Sequence, residues 1–345
     1  MKQPTPDYHI TLDGRDLTGR IAPRLVSLSL SESRSDDADT LNLTLNDYDG
    51  KLAIPPRGAV LRASIGWTDT GLVDKGAFTV NEVEHSGSPD QLVIQARSAS
   101  MTKGLGERQE KSWHGITIGD IVRAIAGKHS LTPAIADALA KIAISHIDQT
   151  HESDMSFLTR LAKRYDAVMN VKDSNLLFMP IGHGTSVSGK PLASIELTRQ
   201  NGDRHRYHVS ERENYAAVRA HYHASGRAKR KSVVVGGEDN HNTKVLPETY
   251  ADEATARAAA TAEFNRTKRS QATMSYTLAM GRPDLYPEIP VYLNGFKPDI
   301  DALSWLAKKV THDISDGGYE TVLELEVRDD PTSSRHRSHF RKGGQ

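Results

Sequence analysis

Apolar and polar residues alternate over most of the first hundred positions, with the period of two that is typical of strands buried on one face. Clusters of Asn, Asp, Gly, Pro and Ser separate these segments and indicate turns. The pattern predicts an antiparallel β domain, a barrel or a sandwich, over residues 1–105. Its strands are predicted at residues 25–30, 41–45, 59–67, 76–84 and 91–96.

Over residues 106–181 the strand period gives way to a helix period. Residues 118–126 place apolar side chains at i, i+3, i+4 and i+7 directly after Thr117, a residue type that caps helices. A second helix is predicted over residues 154–165, after the capping residue Ser153. The segment is therefore predicted to be a small α+β module. Its two short strands are predicted at residues 167–171 and 176–180.

Strand patterns return over residues 182–330, which are predicted to form a second β-barrel. An alanine-rich helix is predicted inside this region, at about residues 252–268. The polar and basic residues 331–345 show no periodicity, and we expect them to be a disordered tail. The strands of this region are predicted at residues 194–198, 207–209, 217–223, 232–235, 273–280, 289–294, 307–314 and 319–327.

Two blocks of the sequence resemble each other, residues 41–96 and residues 274–327. Each contains an alternating strand, a loop with proline, a strand that ends in Gly and an aromatic residue, and a hairpin. His85 and His312 stand at the same place in the two hairpins. Such a duplication predicts two similar antiparallel β-barrels that flank the α+β module. A trimer of this chain presents six like barrels, so a three-fold object can abut a six-fold one.

Composition narrows the function classes. Lys+Arg and Asp+Glu both number 44, and this zero net charge argues against a dedicated nucleic-acid binder. The absence of cysteine excludes disulfides and Cys-based zinc sites. The first residues have no apolar segment of the signal-peptide kind, and no apolar run approaches the roughly 20 residues that a membrane span needs. We expect the chain to fold in a cytoplasm.

Fifteen histidines raise the question of a metal site. His221 and His223 share one face of a predicted strand, and His205 and His208 are near in sequence. No further ligand stands at a diagnostic spacing, so the pattern favours an exposed strand face. We expect no metal and no cofactor.

His151, Glu152 and Asp154 suggest an acid–base cluster. The stronger interpretation is structural, because Ser153 and the acidic residues stand where they satisfy free N–H groups and the positive end of a helix dipole. No nucleophile motif accompanies them. The glycine pair 236–237 matches neither a P-loop nor a dinucleotide-binding motif. The chain is predicted not to be an enzyme.

Two basic clusters, residues 227–231 and 335–342, are candidates for nucleic-acid contact. Nucleic-acid grooves interleave aromatic residues with the cations, and here only Phe340 does so. We interpret the first cluster as a solvated hairpin tip and the second as a tail that orders on a partner.

Several stretches resemble segments of one protein family, at residues 117–126, 129–131, 149–165 and 176–180. Residues 305–327 are similar to the closing hairpin of that family, with His312, Gly318 and Thr321. The family is the phage late control gene D proteins, the baseplate hubs of contractile tails. They are related to the hub part of the valine-glycine repeat spike proteins of type VI secretion systems. The resemblance spans roughly residues 10–330.

The resemblance implies a structural role in the virion tail, after assembly in the cytoplasm of a bacterial host. It implies a homotrimer that forms a pseudo-six-fold ring and joins the tail tube to the central spike. Other baseplate proteins are further expected partners, and DNA is expected only as transient cargo in the lumen. We see no appended spike or lysozyme domain, so the spike is expected to be a separate polypeptide.

One alternative stays open. Residues 117–131 also resemble a small peptidoglycan-binding motif. A tail-associated protein that binds the cell wall is therefore the second functional hypothesis.

Overall fold

The computed structural model describes residues 4–34, 38–98, 104–172, 174–184, 190–210, 215–223, 229–237 and 242–328. Strands predominate over helices in these ranges. Within them, no helix is both long enough and apolar enough to cross a membrane. The predicted disordered tail, residues 331–345, lies outside the described residues.

The first β unit comprises strands β1 to β7, and its strands lie in the order β3-β4-β7-β6-β5-β1 with antiparallel neighbours. Alternate residues point into its core, among them Leu28, Leu30, Leu41 and Leu43. The antiparallel β structure predicted here is confirmed. The elements are β1 Pro6–Leu12, β2 Arg15–Asp16, α1 Thr18–Ile21, a 3-10 turn Ala22–Arg24, β3 Leu25–Ser33, β4 Thr40–Asn46, β5 Val60–Trp67, β6 Gly71–Ser86 and β7 Gln91–Ser98.

The middle module has its own apolar core, formed by α2, α4, the two-stranded sheet β10-β8 and the sheet β11-β12-β9. The Thr117 and Ser153 side chains accept hydrogen bonds from the first turns of α2 and α4, as predicted. The pairing of β8 with β10 was not predicted, because polar side chains cover most of β8 and only Trp113 is buried there. The elements are β8 Arg108–Thr117, α2 Ile118–Lys128, β9 Thr132–Ile135, α3 Asp137–Ala140, β10 Ala143–Ser153, α4 Asp154–Arg164, β11 Ala167–Lys172 and β12 Asn175–Pro180.

The remaining described residues form a second β unit and a separate three-stranded sheet with its helix. Strands β13, β14 and β18 to β21 belong to the second β unit, in the order β14-β18-β21-β20-β19-β13. The elements are β13 Ile195–Thr198, a 3-10 turn Arg199–Asn201, β14 Gly202–Val209, β15 Ala217–His223, β16 Arg230–Gly236, β17 Thr243–Tyr250, α5 Glu253–Ser270, β18 Ala272–Leu278, β19 Pro290–Asn294, α6 Pro298–Asp301, β20 Ser304–Ser315 and β21 Gly318–Val327.

Two details of the second region correct the prediction. Strands β13 and β19 pair in parallel, so the region is not purely antiparallel. The strands at residues 217–223 and 232–235 were assigned to the second barrel, but they form a separate sheet β16-β15-β17 covered by α5. Small side chains such as Ala220, Ala256 and Ala260 let this helix approach its sheet closely and give the two elements a core of their own.

The two β units share strand order and register. The order β3-β4-β7-β6-β5 in the first matches β14-β18-β21-β20-β19 in the second. A bulge follows Val80 in β6, and the counterpart bulge follows Ala307 in β20. The bulge after Leu25 in β3 likewise matches the one after Gly202 in β14. Because a one-residue slip turns every side chain to the other face, this agreement supports the predicted duplication. Barrel closure of each unit stays a prediction.

The two β units are parts of one continuous sheet. Strand β3 of the first unit pairs antiparallel with β20 of the second, from Ser27 opposite Ser315 to Ser33 opposite Lys309. Nearby, the Trp67 indole N–H donates to the Gly281 carbonyl at 2.8 Å. We call the β3–β20 pairing, together with the side chains beneath it, the intrachain junction.

Candidate assembly interface

The intrachain junction has a polar face and a buried face. On the polar face, the hydroxyls of Ser31 and Thr311 are hydrogen-bonded at 3.0 Å across the two strands. On the buried face, His312 is fully enclosed, and its Nδ1 lies 3.0 Å from the hydroxyls of both Thr321 and Tyr319. Backbone pairing therefore joins the units, and the Ser31–Thr311 hydrogen bond spans the junction on its polar face, whereas the hydrogen bonds of His312 lie within the second β unit.

A buried carboxylate ties three parts of the chain together at this junction. Glu32, 2% exposed, accepts hydrogen bonds from Lys75 Nζ at 2.6 Å and from Lys172 Nζ at 2.9 Å. Its Oε2 also lies 3.6 Å from Nε2 of His312. Lys75 belongs to the first β unit, Lys172 to the middle module and His312 to the second β unit. Glu32 thus contacts a residue from each of them.

In this cluster, burial and the charged partners shift the pKa values of the side chains in opposite directions. Burial by itself raises the pKa of Glu32, but His312, Lys75 and Lys172 outweigh it and hold the pKa well below its usual range. Burial lowers the pKa of Lys75 and of His312, against the attraction of the Glu32 carboxylate. The carboxylate therefore stays ionised at neutral pH, where it offsets the buried positive charge of Lys75.

A second charged cluster extends the same contact towards the middle module. Arg34 contacts the Glu288 carboxylate closely and donates to Glu326 at 2.5 Å. Arg269, on α5, lies 3.1 Å from Glu326 and donates to Asp166 of the middle module at 2.9 Å. Burial raises the pKa of Glu288, with Arg34 opposing. These side chains lock α5 and the middle module onto the shared sheet.

Sequence reasoning missed both charged clusters, although one signal was present. In β3 the inward positions Leu28 and Leu30 are followed, two residues on, by Glu32. A carboxylate at an inward position of an alternating strand needs a buried partner. The pattern could therefore have indicated an ion pair, but not the identity of its partners.

Among the open strand edges of the described residues, two stand at the junction ends of the two β units. Residues 82–86 of β6 pair with β7 on one side, and no described strand pairs with their other side. Strand β14 likewise pairs only with β18. Unpaired edges expose backbone N–H and C=O groups that can accept another strand. These two edges are therefore sites at which a further chain could add to the sheet.

The candidate metal-binding histidines are not brought together. His205 and His208 lie on β14 of the shared sheet, whereas His221 and His223 lie on β15 of the separate three-stranded sheet. Among the described residues, no group of three or more His, Cys, Asp or Glu side chains is placed to hold a metal ion.

The candidate acid–base residues point in different directions. His151 faces solvent beside Glu110, and Glu152 pairs with Arg160 at 2.7 Å. Asp154 is buried instead, and it accepts hydrogen bonds from side chains that include His129 and Gln149. Burial raises the pKa of Asp154, but these hydrogen bonds outweigh it and lower the pKa to about 2. Ser153 caps α4 and Asp154 stands in its first turn, whereas His151 and Glu152 form ion pairs with Glu110 and Arg160.

The two basic clusters fall partly or wholly outside the described residues. Residues 227 and 228 of the first cluster are not described, and Lys229, Arg230 and Lys231 are exposed at the start of β16. Residues 335–342 of the second cluster lie beyond the described part. In the glycine pair 236–237, Gly236 ends β16 with a φ of +110°, so its role is a strand end.

Comparisons with known proteins agree on one family. Residues 41–318 match the family described as phage tail baseplate hub (GPD). The probable baseplate hub protein of Escherichia phage P2 is 42% identical, with 94% of each chain covered. That of Escherichia phage 186 is 40% identical, with 94% of this chain and 93% of the relative covered. The tail protein from Neisseria meningitidis MC58 has the same fold, with a TM-score of 0.70 at 15% identity, covering 94% and 97% of the two chains.

Proposed function

Because this chain belongs to the phage tail baseplate hub family, we propose that it forms a homotrimer whose six β units make a pseudo-six-fold ring between tail tube and central spike. As a baseplate hub, it is a structural protein of the phage tail. The proposed mechanism is mechanical: the ring matches the symmetries of its neighbours and transmits the signal for sheath contraction.

The observation that carries the proposal is the matching register of the two β units, bulges included. A chain with two like units offers a six-fold partner six similar docking surfaces when three copies form a ring. The trimer keeps true three-fold symmetry, and this suits a three-fold spike on the opposite side. One chain type can therefore join a tube and a spike of different symmetry.

The charge of the chain fits a conduit for DNA. Equal numbers of acidic and basic residues, 44 of each, leave no net positive charge to hold a nucleic acid. We propose that DNA passes the hub as transient cargo in the lumen of the ring.

The trimer is tested with the full chain, alone and mixed with the tube and spike proteins of the same tail. Mass photometry is expected to show three copies of this chain per complex. Cryo-electron microscopy is expected to show a ring of six like units. If every mixture contains only monomers of this chain, the proposal is wrong.

The cell-wall alternative gains no support from the residues that suggested it. The apolar face of α2, including Ile121, Val122 and Ile125, is buried in the core of the middle module. These side chains pack against the other elements of the module and do not face outward as a ligand surface.

A further inference from the structure

The open edges of β6 and β14 correspond, by their position in the other β unit, to the edges of β20 and β3. Those two edges pair with each other within the chain. Register matches β6 with β20 and β14 with β3. Strands β20 and β3 pair with each other at the intrachain junction. In each unit, therefore, one junction edge is occupied within the chain, and one is open.

We infer, on the basis of the proposed trimer, that residues 82–86 of β6 in one copy pair antiparallel with β14 of the next copy. This interchain junction repeats the register of the intrachain one. In the intrachain junction Thr311 lies opposite Ser31, and the counterparts of these two residues place Glu84 opposite His208 in the interchain junction. Val310 opposite Glu32 becomes Val83 opposite Val209. Three copies joined in this way alternate intrachain and interchain junctions around a closed ring.

The side chains on the two open edges complement each other in charge. Glu82 and Glu84 are exposed on β6, while Arg204, Arg206 and His208 are exposed on β14. Directly opposed and diagonal cross-strand neighbours lie within reach of long side chains. In the inferred register Glu84 meets His208 directly and Arg206 diagonally. The pairing thus places Glu84 against His208 and Arg206, and Glu82 diagonal to His208.

The apolar face agrees with the same register. Val209 is 55% exposed, although it stands on a strand whose counterpart β3 has alternate residues buried. Val83 packs on the core of the first β unit and is only partly buried. Val310, its counterpart, is fully buried. The inferred pairing sets Val83 against Val209 and removes both from water.

The charge pattern also favours pairing between unlike edges, β6 with β14, over pairing between like edges. Two β6 edges would oppose Glu with Glu, and two β14 edges would oppose cations with cations, and like charges directly opposed destabilise a sheet. Pairing of β6 with β14 is therefore favoured over either self-pairing. Such a head-to-tail contact does not stop at a two-fold dimer, and with a rotation that closes after three copies it forms the proposed trimeric ring.

Disulfide trapping tests the register, because the chain has no natural cysteine. The variant Glu84→Cys/His208→Cys is oxidised in the full chain, alone and with the tube and spike proteins. Within one chain, six strands separate β6 from β14 along the sheet, so a bridge joins different copies. The expected product is a covalent trimer that reductant returns to monomer, with dimers as intermediates.

The matched control is Glu84→Cys/His205→Cys, which is out of register by three residues and points to the other face of β14. It is expected to form little trimer under the same oxidation. Trimers seen by mass photometry without the 84–208 bridge, or with equal bridging in the control, refute the inferred edge and leave the proposed trimer standing. Absence of trimers in every mixture refutes both.

Charge reversal tests the same contact without a covalent bond. Glu84→Arg is expected to weaken trimer formation about tenfold, a change equivalent to about 1.4 kcal/mol. Adding Arg206→Glu in the same chain should restore it. The control Glu196→Arg, an exposed charge on β13 away from both edges, should leave assembly unchanged. Equal weakening by the control, or no rescue by the second change, contradicts the inference.

Discussion

The hairpins β6–β7 and β20–β21 have the same register but different surroundings. His312 of the second β unit is fully buried and bonded to Thr321 and Tyr319, because β3 covers its strand. His85, its counterpart in the first unit, has a 41% exposed side chain and lies 3.3 Å from Asp47. The edge of the second hairpin is thus paired with β3 within the chain, and the edge of the first is open among the described strands.

The difference shows that two β units of matching register can carry different side chains at corresponding edges. At the intrachain junction the polar face carries short hydroxyls, Ser31 with Thr311, and the charges are buried and paired. At the open edges the charges stand on the surface, where they are hydrated until a partner arrives. A permanent junction and an assembling one therefore use the same backbone with different side chains.

The largest expected effect comes from breaking the buried cluster of the intrachain junction. Glu32→Ala leaves the Lys75 ammonium buried with its main partner removed, which costs about 3–5 kcal/mol for a pair of this kind. Denaturant unfolding of the isolated chain measures the loss. We expect at least partial separation of the two β units at low denaturant.

The matched control for that change is Glu324→Ala, which removes a carboxylate 4.0 Å from Lys309 on the exposed side of the second unit. Exposed pairs contribute about 1 kcal/mol or less, so little change is expected. If both variants lose the same stability, the buried cluster does not hold the junction.

Much of this fold follows from local patterns, and the junction does not. Caps at Thr117 and Ser153 and the alternation in the β units predicted elements that the structure contains. The duplication was predicted because strand, loop and hairpin recur in the same order in the two blocks. The partners of Glu32 were not predictable, since Lys172 lies 140 residues away and only the folded chain brings the two together.

The residues of the open edges could not be recognised from the sequence either. Glu84 and Arg206 each look like an ordinary residue of a solvated strand face. Their relation emerges only when the register of one unit is transferred to the other. The separate sheet β16-β15-β17 was missed for a related reason, because strand patterns do not say which sheet a strand joins.

A smaller effect separates the two hairpin histidines. His312→Ala leaves a cavity and unpaired buried hydroxyls, and should destabilise the isolated chain by about 2–3 kcal/mol. His85→Ala should change it by less than about 1 kcal/mol, because that site is exposed. Thermal unfolding of both variants measures the contrast. Equal losses of stability in the two variants would mean that the pairing of β3 with β20 does not distinguish the two hairpins.

The smallest effect concerns Asp39, beside the intrachain junction, whose counterpart in the second unit by register is Ala272. Burial raises the pKa of Asp39 to about 6, with the Ser33 backbone hydrogen bond opposing and the Glu32 carboxylate adding to the rise. A carboxyl whose pKa is higher in the folded state contributes stability at low pH, and this contribution is lost as pH rises through about 6. Asp39→Asn keeps an acceptor for Ser33 and removes the charge. It should therefore be more stable than the parent chain by about 1–2 kcal/mol at pH 7.5, and the gap should close below about pH 4. The free energy of unfolding of both proteins is measured between about pH 4 and pH 7.5. A stability difference that does not vary with pH would assign the effect to packing and not to the charge of Asp39.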